Sequence, residues 1–134
     1  MADRVALIVT GTRQDLAKAD REVIRKTLLA FVEERGAYPK VVIHGACKTG
    51  VDAFVHSRFR APMLRMPADW NRHGQAAGPV RNTAMVQLAK CLRDGSTYDV
   101  HWLAFPKGPS PGTRDCARKC EAAGFPGRIV ELDE

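Results

Sequence analysis

The chain contains no apolar run approaching the roughly 20 residues that a membrane-spanning helix needs, which argues against a helical membrane protein. Aromatic residues make up only 7% of it and form no row, so a stacking platform for single-stranded nucleic acid is not expected. Its Lys and Arg residues form no dense tract. Neither GxGxxG nor GxxxxGK[ST] occurs, so the dinucleotide fingerprint and the Walker-type NTPase loop are both missing. There are four cysteines and no CxxC. Cys116 and Cys120 share one face of an expected helix, but Cys47 and Cys91 supply no partner at metal-ligand spacing, so no metal site is expected. The N-terminal apolar run Val5–Val9 is too short for a secretory segment and reads as a first strand. The expected compartment is therefore the cytoplasm, where the cysteines would be reduced thiols, some of them in the core.

What is present suffices for one domain over residues 1–134. A chain of 134 residues with 45% hydrophobic content can bury a sizeable core without staples. The formal net charge of +6 favours polyanions or small phosphorylated ligands.

Short β-rich runs alternate with helical ones. Val5–Val9 and Val41–Ile43 are continuous apolar runs, as in strands buried on both faces. Met63–Met66, Val100–Phe105 and Arg128–Leu132 complete five expected strands. Helices are expected over Asp20–Glu34, from Gly50 through about Phe59, from about Pro79 to Leu92, and from about Gly112 to Ala123. Glu131, Asp133 and Glu134 read as a solvated acidic tail. The β-α-β-α order predicts an α/β, Rossmann-like three-layer sandwich: a mostly parallel sheet of about five strands with helices on both faces. Ligands in such sheets bind beyond the carboxyl ends of the strands, at the topological switch point.

Four loops of unusual chemistry converge on that edge. Thr10-Gly11-Thr12-Arg13 offers a tight turn, a hydroxyl and a guanidinium. In His44-Gly45-Ala46-Cys47-Lys48-Thr49-Gly50-Val51-Asp52, a helix start presents backbone N–H groups to an anion, with Gly45 and Ala46 beside the ligand. Asp52 there either caps the helix or meets a ribose hydroxyl. In Pro67–Asn82, Trp70 would stack on a base, Asp69 would accept from sugar or base, and Arg81 and Asn82 open the next helix with Arg81 on phosphate. In Phe105–Thr113, Lys107, Gly108, Gly112 and Thr113 frame a turn whose helix N-terminus faces the ligand. Pro109 and Pro111 stiffen that turn.

Taken together, Gly11-Thr12-Arg13, His44–Phe54, Pro67-Ala68-Asp69-Trp70, Ala77-Gly78-Pro79-Val80-Arg81-Asn82 with Met85, and Phe105-Pro106 with Gly112-Thr113 resemble the SLOG superfamily. That superfamily groups the DprA/Smf DNA-processing proteins with the LOG phosphoribohydrolases. The likeness is nearest to its small single-domain YspA-like members, common in bacteria and phages. The resemblance implies a Rossmann-like fold that binds a nucleotide or nucleotide-derived ligand at this edge, and pairing into a homodimer. The LOG branch cleaves the N-glycosidic bond of nucleoside 5′-monophosphates with an Arg in Arg-Lys-x-x-Met and a Glu in Pro-Gly-Gly-x-Gly-Thr-x-x-Glu. Arg81 and Met85 match the first motif, with Asn82 in place of Lys. In the second, Cys116 takes the position of the Glu. Glycosidic cleavage needs a carboxylate, so hydrolysis would require Asp115 or Asp69 instead.

Three functions follow in order of expectation. The first is binding of a nucleotide or nucleotide-derived, signalling-type ligand without a cofactor. The second is a nucleotide N-glycosidase with Arg81, Asp115 and Asp69 as catalytic candidates. The third, less favoured, is DprA-like DNA binding.

Overall fold

In a computed structural model, which describes residues 4–133, five parallel strands form one sheet in the order β3-β2-β1-β4-β5. Asp3 and Glu134 lie outside the described residues. The elements follow one another as β1 (Val5–Gly11), α1 (Lys18–Arg35), β2 (Val41–His44), α2 (Gly50–Arg58), β3 (Met63–Arg65), α3 (Trp70–His73), α4 (Ala77–Ser96), β4 (Asp99–Phe105), α5 (Pro111–Ala122) and β5 (Gly127–Ile129). The expected Rossmann-like α/β sandwich is therefore present.

Alternation along β1 explains why its apolar run is unbroken. Ala6 and Ile8 face one layer, where α4 and α5 contribute Met85, Val86, Ala89, Cys116, Ala117 and Cys120. Leu7 and Val9 face the other, where α1 and α2 contribute Ile24, Leu28, Phe31, Val51 and Val55. A central parallel strand covered on both sides has no solvent face, so no polar residue interrupts it. Cys116 and Cys120 are fully buried among these apolar side chains, and all four cysteines are free thiols.

Three expectations shift. The segment expected as an open loop before α4 is partly helical: α3 and a 3₁₀ turn over Gly74–Ala76 lead directly into α4, and Pro79 sits inside its first turn. Asp69 drives this, because its Oδ1 accepts from the Arg72 N–H at 3.1 Å and caps α3. The last strand ends at Ile129 rather than Leu132. The acidic tail is exposed at Glu131 and Asp133 but pinned between them: Leu132 is buried and bridges Lys107, and Glu131 receives Arg114 Nη1 at 2.8 Å.

The order 3-2-1-4-5 places the switch point between β1 and β4, where successive crossovers leave in opposite directions. The register of the pair carries Gly11 opposite Phe105, so both strands end at the same level. Among the described residues no helix is long and apolar enough to cross a membrane.

Candidate functional site

A cleft of about 350 Å³ opens at that switch point. The β1 exit supplies Thr10, Gly11, Thr12, Arg13 and Gln14. Gly45, Cys47 and Asp52 come from the β2–α2 turn, and Trp70, Gly78, Arg81 and Met85 from α3 and α4. Pro109 to Thr113 come from the start of α5. A larger groove of about 530 Å³ between α1 and α2 is lined by Leu28, Leu29, Phe54 and Phe59 and also by the charged Lys18, Arg21, Glu22, Arg25 and Arg58. It draws on the flanks of two helices, whereas the smaller cleft gathers the turns at the carboxyl ends of the strands.

Arg81 is the centre of the cleft. Its Nη1 donates to the Gly45 carbonyl at 2.6 Å and its Nε donates to Asn82 Oδ1 at 2.9 Å. The guanidinium lies so close to the backbone that a Cβ at position 45 would displace it. Two of the five N–H donors of Arg81 are thereby fixed, and the planar fork is held against the turn. Asn82 is buried and donates its amide to Gly112 O and Asp115 Oδ2, both at 3.1 Å. It joins the N-terminal parts of α4 and α5 and orients Arg81; it does not line the cleft.

The α5 N-terminus points into the cleft without a side-chain cap. Ser110 sits in a left-handed conformation at φ 36°, and its hydroxyl is used within the loop, accepting from Lys107 N–H and donating to Lys107 O, both at 2.8 Å. Arg114 holds the same loop from outside through Pro109 O at 2.9 Å and Gly108 O at 2.7 Å. First-turn amides of a helix carry partial positive charge and lack intrahelical acceptors, so an uncapped start is suited to an anion. At the mouth, the Arg13 guanidinium lies 5.2 Å from the centre of the Trp70 ring, and Trp70 is 47% exposed.

Of the expected site residues, Gly11, Thr12, Arg13, Gly45, Trp70, Arg81, Gly112 and Thr113 do line this cleft. Lys107 does not. Its ammonium donates to Asp20 Oδ2 at 2.6 Å, on the far side of the loop, in a nearly buried pair. Asp20 also accepts the Ala17 N–H at 2.9 Å at the start of α1. Burial would raise the Asp20 carboxyl, but the Lys107 and Ala17 bonds outweigh it and hold it below its ordinary value. Removing one partner of a buried pair leaves the other charge uncompensated. Lys107→Met is therefore expected to cost about 3 kcal/mol in urea denaturation while leaving phosphate-ligand affinity within about twofold in calorimetry; a large loss of affinity would return Lys107 to the site. Gly108 and Ala46 also lie outside the cleft. Ala46 adjoins a smaller recess with His44 and His56.

The two proposed catalytic carboxylates are turned away. Asp69 caps α3, as described above. Asp115 Oδ2 accepts from Lys119 Nζ at 2.9 Å as well as from Asn82, and these bonds overcome burial to hold its carboxyl below the ordinary value. Cys116, at the position of the LOG glutamate, is sealed in the core. One acid does line the cleft: Asp52, whose place at the start of α2 suits a cap or a ribose contact. It does not cap α2, whose N-cap is Thr49. Its Oδ2 accepts from the Cys47 N–H at 3.3 Å, and burial raises its carboxyl above the ordinary value. Cys47 is itself pushed up, by burial first and by Asp52 second, so it stays a thiol rather than a thiolate nucleophile.

His44 supports the floor. Its Nδ1 accepts from Ala46 N–H at 3.0 Å, which assigns the ring proton to Nε2, facing His56 Nδ1 at 3.0 Å. Burial, with the charges of His56, Arg65 and Arg81, lowers His44 to about 4. The folded chain thus binds fewer protons here than the unfolded chain, and stability falls as pH drops from about 6.5 toward 4. The expected loss is about 3 kcal/mol, read by urea denaturation at pH 7 and pH 4, and His44→Gln is expected to flatten that slope.

No family model matches the chain. Over 127 residues it is 35% identical to the Gene 61 protein of Mycobacterium phage D29, a match covering 90% of this chain and 91% of that protein. The chain belongs to the family of that phage protein. The match to Gene 61 protein spans most of both chains. Among the described residues no three His, Cys, Asp or Glu side chains are grouped as a metal site.

Proposed function

We propose that this member of the Gene 61 family binds a nucleotide or nucleotide-derived ligand in the switch-point cleft, in the manner of the small SLOG proteins it resembles. The phosphoryl group sits between Arg81 and the first-turn amides of Gly112 and Thr113. The base or ribose lies toward Arg13 and Trp70. The observation that carries this reading is the uncapped α5 N-terminus facing an arginine that Gly45 and Asn82 hold in place. Two independent sources of positive potential meet at the level where parallel strands end, and such a pair selects an anion of phosphate size.

Binding is favoured over hydrolysis because Asp115 and Asp69 are committed to structural bonds and Cys116 is buried. Kinship with a phage protein fits a role in sequestering a signalling nucleotide. The test is mass spectrometry of small molecules released by heating the purified protein, beside a panel of nucleoside 5′-monophosphates assayed for free base. A co-purifying phosphorylated nucleoside derivative and no base release support the reading. Base release that is lost on substituting Asp52, Asp69 or Asp115 contradicts it.

A further inference from the structure

We infer that Asp52 decides which phosphorylated ligands the cleft accepts, taking a hydrogen bond from a ribose hydroxyl while the phosphoryl group is held by Arg81 and the start of α5. The inference rests on the phosphate-cleft reading and specifies its ligand class.

Asp52 occupies the third position of α2, on the floor of the cleft beside Gly45 and Cys47. Only 5% of the residue is exposed. Bracing the β2–α2 turn takes one carboxyl oxygen, Oδ2, which accepts from the Cys47 N–H. The other, Oδ1, is buried and has no hydrogen-bond partner. A fold that needed only the brace would be served by one acceptor; a second, orphaned acceptor in a buried position is costly unless a partner arrives. Every other acid near the site is satisfied: Asp69 by the α3 amide, Asp115 by Asn82 and Lys119, Asp20 by Lys107 and Ala17. Asp52 is thus the one carboxylate among the described residues that lines the cleft.

Its chemistry complements that of Arg81. A second anionic group brought to the floor would meet repulsion, so a bare polyanion is disfavoured there. A neutral hydroxyl donor relieves the orphaned oxygen and carries no such penalty. A nucleoside 5′-monophosphate offers this combination, one phosphoryl anion and a neutral diol on a single small molecule. Cys47 lines the same cleft, and its N–H donates to the carboxyl.

The experiment titrates the purified protein with inorganic phosphate, the four ribonucleoside 5′-monophosphates and their 2′,3′-dideoxy counterparts, in wild type and in Asp52→Asn. Wild type is expected to bind at least one ribonucleotide about 10-fold or more tightly than its dideoxy form. In Asp52→Asn that ratio is expected to fall to about 1–3, while inorganic phosphate binds no more weakly than to wild type, because an acidic group has left the floor. A wild-type ratio near one, or a preference unchanged in Asp52→Asn, overturns the inference while the phosphate cleft stands. Failure of wild type to bind any probe overturns the phosphate cleft and the inference with it. The wild-type ratio decides the matter even where the variant folds poorly.

Discussion

Arg81→Lys is expected to weaken binding of a nucleoside 5′-monophosphate by about 30- to 100-fold, the loss of one bidentate charge-assisted contact at roughly 2–3 kcal/mol. The reason lies in how the guanidinium is used. Nη1 is spent on Gly45 O and Nε on Asn82 Oδ1, and the rigid fork carries the remaining donors toward the cleft. A lysine ammonium supplies charge but cannot brace the turn and face a phosphate at once. The same bonds give the substitution a structural cost of about 1–2 kcal/mol, because Gly45 O and Asn82 Oδ1 lose their donors. Calorimetry and urea denaturation together separate the two effects. An affinity loss no greater than the stability loss would mean that Arg81 is only a brace.

Gly50→Ala is the largest expected effect on the fold, about 3–5 kcal/mol of lost stability. Gly50 has φ +76°, a left-handed conformation that costs an alanine about 1–2 kcal/mol, and a Cβ there would overlap the backbone of Thr12 and Arg13. That backbone cannot yield cheaply. Val51 N–H donates to Thr12 O at 3.0 Å and Thr49 Oγ1 donates to Arg13 O at 2.6 Å, stitching the β1 exit to the start of α2. The ligand turn and the helix start are one assembly, so the variant is also expected to lose phosphate affinity. Gly95→Ala supplies the control. It lies near the end of α4 with no atom within 4 Å of the added carbon, so a gain of about 0.5–1 kcal/mol is expected. Equal losses in both variants would refute the assignment of strain to Gly50.

Much of the fold was legible because parallel strands announce themselves. Val5–Val9 and Val41–Ile43 carry no polar break, and alternation with helical periods leaves few topologies. The α3 segment was less legible because its cap is Asp69, a residue whose type also suits a ligand contact; only the Arg72 N–H settles its use. The cleft itself was legible from its glycines and from Arg81, since small residues at strand ends imply close approach. Polar partnership was not legible. Lys107 and Asp20 are 87 positions apart in sequence and meet across the loop, so nothing local in Pro106-Lys107-Gly108 shows that the ammonium is already paired. Asn82 likewise finds Gly112 and Asp115 30 and 33 positions away, and becomes a brace rather than a contact. The bond from Arg81 to the Gly45 carbonyl, 36 positions away, is hidden from the sequence for the same reason. For Asp52 the sequence signal was its place in Gly50-Val51-Asp52 at a helix start, but only the orphaned Oδ1 separates an acceptor awaiting a donor from an ordinary cap.

Binding of a phosphorylated nucleotide-type ligand in the switch-point cleft carries the proposed function. Its most direct test is a titration of ¹⁵N-labelled protein with nucleoside 5′-monophosphates, followed residue by residue. Saturable shifts are predicted at the amides of Gly11, Thr12, Gly45, Gly112 and Thr113 and at the Arg81 side chain, absent in Arg81→Lys at the same concentrations. Shifts confined to the groove between α1 and α2, or no shifts at millimolar ligand, would contradict the account.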